Sequence, residues 1–283
     1  MSVIDSHHHF WWTGKYAYHW PPQAAERLNR DFTPDDLRVE LDACGIDGTV
    51  LVQVLRLEET REFLDIQRNV DFVRGVVGWV PLSEPDSVTK ALDELAGRGK
   101  LVGIRHLINN EPDPKWLLQP NVIESLGLLS AVRLVFDVIP ITAAQLESVL
   151  EIAHRLPDLS IVINHLGEPP VPERGWEPWA SQMARAAQCP NVTVKLSAGL
   201  ALVVKWQWST DEIRRYSDHV LQCFGSRRVM AASNWPVVLL GGSFREVWQG
   251  IKDLIAELSE SEQEDILGGT AERVYRLAPA GRS

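Results

Sequence analysis

Eight short, almost wholly apolar runs recur along this chain, each followed by a longer stretch carrying helix signals. They are Val3–Ser6, Thr49–Val54, Gly75–Val80, Val102–His106, Leu134–Val138, Ile161–Asn164, Val192–Leu196 and Val229–Ser233. A strand that is apolar at nearly every position is covered on both faces, which is the condition of a parallel sheet flanked by helices. The intervening stretches begin as helices begin. Thr33-Pro34-Asp35-Asp36 supplies an N-cap, a proline at the first helical position and early acids. Capping-box spacings recur at Thr142/Gln145, Ser209/Glu212, Ser243/Glu246 and Ser259/Glu262.

Eight strand–helix units with no break in composition predict an α/β fold, a single (β/α)8 TIM barrel over residues 1–283, close to the roughly 250 residues such barrels use. An open doubly wound sheet would want a glycine-rich phosphate loop after its first strand. That position holds Asp5-Ser6-His7-His8-His9 instead. The histidine run is flanked by Val3-Ile4 and Phe10-Trp11-Trp12, so it reads as part of the fold and not as a tag. Ser259–Leu277 reads as one more helical segment, interrupted at Gly268-Gly269. Trp11 to Phe32 is an unusually long connection, rich in aromatics and carrying Pro21-Pro22. Since it follows a strand, it is expected at the catalytic mouth as a wall of the substrate pocket.

Composition narrows the partners. A net charge of −10 provides no basic field to attract phosphates, so nucleic acid and anionic membrane are excluded as partners and a small-molecule substrate is expected. No apolar run approaches the ~18–20 residues of a membrane span. Cys44, Cys189 and Cys223 are odd in number and lack metal-ligand spacing, which suits a reduced, cytoplasmic protein. The start MSVIDSHHHF lacks the basic and apolar parts of a signal peptide. A homo-oligomer is left open, because no surface stripe decides it.

Barrel active sites lie at the C-terminal strand ends, so those residues carry the chemistry. Alternate strand residues share a face, so His7 and His9 point together into the mouth while His8 points away. Two such imidazoles can share a divalent metal or polarise a carbonyl oxygen; the bland alternative is a pair of core histidines satisfied by backbone. His165, ending the sixth strand, can complete a three-imidazole cluster. Lys195, inside the apolar seventh strand, is costly unless paired, and is a candidate to hold a substrate carboxylate or oxyanion. Arg105 can bind a carboxylate or a hydroxyl pair; its alternative is an internal salt bridge to Asp137. Asn234, ending the eighth strand, can orient a water but cannot take its proton. Of the eleven tryptophans, Trp11, Trp12, Trp20, Trp79, Trp206, Trp208 and Trp235 fall in expected mouth loops, where flat aromatics suit a ring substrate; ordinary packing of loops over the barrel is the alternative. The Gly167–Pro170 segment reads as a rigid structural turn.

Taken together, Ile4-Asp5-Ser6-His7-His8-His9-Phe10-Trp11, Gly103-Ile104-Arg105-His106, Asn164-His165-Leu166-Gly167, Val194-Lys195-Leu196-Ser197, Ser233-Asn234-Trp235-Pro236-Val237 and Ala271-Glu272-Arg273-Val274-Tyr275 resemble the amidohydrolase superfamily in order and position. They are most similar to its TIM-barrel lactonase branch, which contains sugar-acid lactonases and a pyrone dicarboxylate lactonase. The resemblance covers essentially the whole chain. It implies water attack on a lactone carbonyl, with His7, His9, His165 and Asn234 as catalytic residues. Arg105, Lys195, Trp11, Trp79 and Asp137 would surround the substrate. His7, His9 and His165 match residues that bind one divalent ion such as zinc or polarise the carbonyl without it, and some members of the branch use no metal. The branch usually ends its eighth strand in aspartate, where this chain has Asn234. Losing a general base costs typically ~10²–10⁴-fold in rate. Asn234 is compatible with a change made to trap substrate, with another base such as a histidine of the cluster, or with a protein that has left hydrolysis behind. Two other readings follow: a metal-dependent decarboxylase or hydratase of the same superfamily, and a catalytically impaired ligand-binding paralogue.

Overall fold

A computed structural model describes residues 2–54 and 57–278. Eight parallel strands form one sheet in sequential order: β1 (Ile4–His8), β2 (Gly48–Val52), β3 (Val73–Gly78), β4 (Leu101–His106), β5 (Val135–Val138), β6 (Ile161–Ile163), β7 (Val192–Leu196) and β8 (Val229–Ala231). The seam between last and first strands is closed by the segment just after β8. Asn234 N–H donates to His7 C=O at 2.8 Å, and His9 N–H donates to Trp235 C=O at 2.7 Å. This is the expected (β/α)8 barrel. Every expected strand is present, with no end moved by more than two residues: β7 keeps its expected bounds, β3 begins two residues earlier and β8 stops at Ala231. The seam depends on that early stop, because it frees Asn234 and Trp235 to bond β1.

The barrel interior is filled by one branched apolar residue or so from each strand, among them Ile4, Val50, Val77, Val102, Val135 and Val162. Ala271, Tyr275 and Leu277 join that cluster, so the C-terminal segment plugs the bottom of the barrel. Gly268 lies against the first residues of the chain there; a Cβ on it would sit 1.8 Å from the Ser2 carbonyl oxygen. The expected break at Gly268-Gly269 is a π-helical stretch, Asp265–Gly269, between two short helices, so the backbone stays helical through it.

Helix starts follow the caps read from the sequence. Thr33/Asp36, Ser243/Glu246 and Ser259/Glu262 form full capping boxes. Thr142 and Ser209 cap without reciprocation. The reason is competition: Gln145 bonds Ile141 N–H and Ile108 C=O, and Glu212 accepts from the Trp206 indole. The long connection after β1 contains the helix Pro22–Leu28 and is pinned at its base by an antiparallel bridge between Trp11 and Phe32. Among the described residues, no helix is long and apolar enough to cross a membrane.

Candidate active site

A cavity of about 420 Å³ opens at the C-terminal end of the strands, a size suited to a small-molecule site. His9, His165, Arg105 and Asn234 line it from four strand ends, and Tyr18 and Trp20 of the long connection wall one side. His7 sits one layer deeper, with ring centroids 4.8 Å from His9 and 4.6 Å from His165. Three imidazoles far apart in sequence therefore converge. His8 points the other way and bonds the Thr49 hydroxyl at 2.8 Å.

Beneath His7 lies a buried ionic network. Lys195 Nζ is 2.5 Å from Asp137 Oδ1, and both side chains are fully excluded from solvent. Tyr275, rising from the plug, donates its hydroxyl to the same carboxylate at 3.0 and 2.8 Å. Lys195 Nζ also approaches His7 Nδ1 at 3.3 Å. Burial lowers the Lys195 pKa, and Asp137 opposes the fall. Arg105 donates to the Gln53 carbonyl and brings Nη1 to 3.3 Å from His7 Nε2. Burial brings its pKa down to about 10.

Lys195 and Arg105 are both donors only and approach opposite nitrogens of His7 at 3.3 Å, so the neutral ring accepts from one of them at a time. His9 Nδ1 lies 2.7 Å from the Val52 carbonyl, so it carries the proton and leaves Nε2 bare. When His7 accepts from Lys195, its Nε2–H faces the bare His9 Nε2 across 3.1 Å. Burial, with the Lys195 and Arg105 charges adding to it, holds His7 well below the ordinary imidazole range. Burial first does the same for His9, helped by Arg105, and for His165, helped by Lys195 and Arg105. The cluster is neutral at physiological pH. His165 Nδ1 lies 2.8 Å from the Ser197 hydroxyl. When Ser197 donates, His165 presents Nε2–H.

This donor set does not fit a divalent cation. His7 Nε2 and His9 Nε2 converge to 3.1 Å, but their surroundings are cationic. Two cationic side chains lie within 3.3 Å of the His7 ring. Where a carboxylate would offset the metal charge, the chain has the neutral Asn234, whose Nδ2 donates to the Ala198 carbonyl at 2.9 Å. Among the described residues, no group of three or more His, Cys, Asp or Glu side chains is disposed to hold an ion.

The remaining expected residues divide. Lys195 and Asp137 pair with each other below the cavity, so the salt bridge considered for Arg105 is made by Lys195. Neither ion lines the cavity. Trp11 is fully buried, its indole N–H donating to the Leu28 and Arg30 carbonyls. It forms the core of the long connection, tilted against Trp20 with ring centroids 4.6 Å apart, and does not face the cavity. Trp79 lies 6.5 Å from the His106 ring and is likewise absent from the cavity wall. Sequence reasoning missed Glu168, which does line it. No residue pattern pointed to it; the mark lies in the backbone, where His165, Leu166, Gly167 and Glu168 have φ of 55°, 53°, 67° and 54°. Such a left-handed turn is costly for side-chain-bearing residues and marks a functional position.

A parallel barrel whose strand ends converge three imidazoles, an arginine and an asparagine on one cavity defines a hydrolase-type TIM-barrel site. The chain belongs to the amidohydrolase family, whose model, described as "Amidohydrolase", matches residues 4–277. It is 34% identical over 284 residues to an L-fucono-1,5-lactonase of Burkholderia ambifaria, covering 98% of this chain and 97% of the relative. A second L-fucono-1,5-lactonase, from Burkholderia multivorans, is 30% identical over 97% of this chain and 96% of its own length. A crystal structure of an amidohydrolase from Burkholderia multivorans, with bound zinc, superposes with a TM-score of 0.90 at 29% identity, covering 98% of this chain and all of that one.

Proposed function

We propose that the protein hydrolyses a sugar-acid lactone to the open hydroxy acid. The observation that carries the reading is a full-length similarity to L-fucono-1,5-lactonases, joined to a polar-floored, aromatic-walled cavity at the catalytic end of the barrel. The lactone ring packs against Tyr18 and Trp20. Its carbonyl oxygen lies against Arg105 and His165 Nε2–H, the donors that the cavity presents. Hydrogen bonds to charge developing on that oxygen strengthen in the transition state, and in a water-poor site one such donor is worth ~2.7–4 kcal/mol. His9 cannot donate to the carbonyl, since its proton is committed to Val52. With His7 it forms a neutral pair at the cavity floor. Asn234 orients the attacking water.

A zinc-bound relative raises the question of metal; the reading here is catalysis without one, supported by the two cations beside His7 and by the neutral Asn234 at the eighth strand end. The test is turnover of a panel of aldono-1,4- and aldono-1,5-lactones, with and without chelator. The reading expects hydrolysis above the spontaneous rate in both conditions. Binding of an intact lactone with no turnover would overturn it in favour of a ligand-binding paralogue.

A further inference from the structure

Among the described residues lining the cavity, Glu168 is the single acidic one. It shares the wall with His165 and Asn234. The turn after β6 that presents it holds four consecutive residues in the left-handed region. Its carboxylate is held in place. It accepts from the backbone N–H of Leu202. Its Oε1 occupies the space over Gly199, 1.6 Å from where a Cβ would stand, and His165 Cδ2 closes the same space at 2.8 Å. Only glycine at position 199 lets the carboxylate and the His165 ring lie together there. Asn234 can orient a water but has no basic site for its proton, and burial beside cations disfavours a proton on His9 or His165.

We infer that Glu168 is the proton acceptor of the hydrolytic step, supplying from the sixth strand end the base that the eighth does not carry. The inference rests on the lactonase reading. The Glu168 carboxylate takes a proton from water as the water oxygen bonds the lactone carbonyl carbon. The ring C–O bond then breaks, and the carboxylic acid returns that proton to the departing ring oxygen, which becomes the hydroxyl of the product. No oxidant or further reactant is required.

Burial pushes the Glu168 carboxyl up to about 8, opposed by the Leu202 N–H and by Lys205. The other charged or titratable groups facing the cavity are His9, His19, His165, Arg105 and Tyr18. His9 and His165 are held neutral and do not titrate above pH 7. Glu168→Gln keeps the shape and removes the base, so kcat should fall ~10²- to 10⁴-fold with KM little changed. Turnover by Glu168→Ala should rise when formate is added, which a structural role would not produce. In the wild type, kcat/KM corrected for spontaneous hydrolysis should climb with pH through about 8. A Glu168→Gln variant with wild-type kcat overturns the assignment. If the variant fails to fold, a wild-type profile that is flat through that range does the same. A wild type that turns over no lactone refutes the lactonase reading first, and the base assignment falls with it.

Discussion

Replacing Asp137 by asparagine removes one charge and almost no volume from the most enclosed ionic pair in the molecule. Lys195 and Asp137 are both fully buried, 2.5 Å apart, with Tyr275 donating to the carboxylate and His7 Nδ1 beside the ammonium. No water reaches the ammonium to replace the lost carboxylate. Removing one partner of such a pair costs ~3–5 kcal/mol, because the other charge is left uncompensated. The lysine has one escape, which is to lose its proton. Burial already lowers its pKa, and Asp137 is the largest force holding it up. In the variant the folded state therefore holds Lys195 neutral while the unfolded chain holds it charged. The unfolded state then binds one proton more, so stability rises with pH, at up to ~1.4 kcal/mol per pH unit, until lysine's ordinary value of about 10.4 is reached. Urea unfolding of wild type and variant at about pH 6.5 and 8.5 measures both effects. The deficit should be largest at the lower pH and shrink at the higher. Adding Lys195→Met should recover much of the loss, since the orphaned charge goes with it. A loss below ~1 kcal/mol, or one independent of pH, would refute the account of an uncompensated buried lysine.

Arg105→Met should lower kcat/KM for the lactone by roughly 10- to 100-fold, the ~1.5–3 kcal/mol of a charged hydrogen bond, and leave folding measurable by circular dichroism. Chelation should leave turnover unchanged; loss of activity that returns only with added zinc would contradict the donor-set argument. Asn234→Ala should cost ~1–3 kcal/mol in urea unfolding, because it removes the bond to Ala198 and forces alanine to a φ of 59°. Gly268→Ala drives a methyl into the Ser2 carbonyl and should cost ~1–3 kcal/mol with activity per folded molecule retained.

Much of this molecule was legible in one dimension. Strand count followed from eight apolar runs alternating with capped helical stretches; the alternation mattered, because equally apolar runs at Leu200–Val203 and Val237–Leu240 are helical. The pairing of His7 with His9 followed from the two-residue period of a strand, and Arg105, His165 and Asn234 from their places at strand ends. Spacing also marked the caps at Thr33, Ser243 and Ser259, because capping is local. Which polar groups touch was decided only in three dimensions. Lys195, Asp137 and Tyr275 come from β7, β5 and the C-terminal plug, and their meeting depends on the barrel's closure and on how far each strand is staggered. The same closure turned Trp11 inward as packing and left Trp20 on the cavity wall, a choice that aromatic content along the loop could not make. Glu168 looked like part of a structural turn. It became a cavity residue because a run of left-handed backbone aims it over Gly199, and backbone handedness at non-glycine residues is imposed by the surrounding fold, not by the residues themselves.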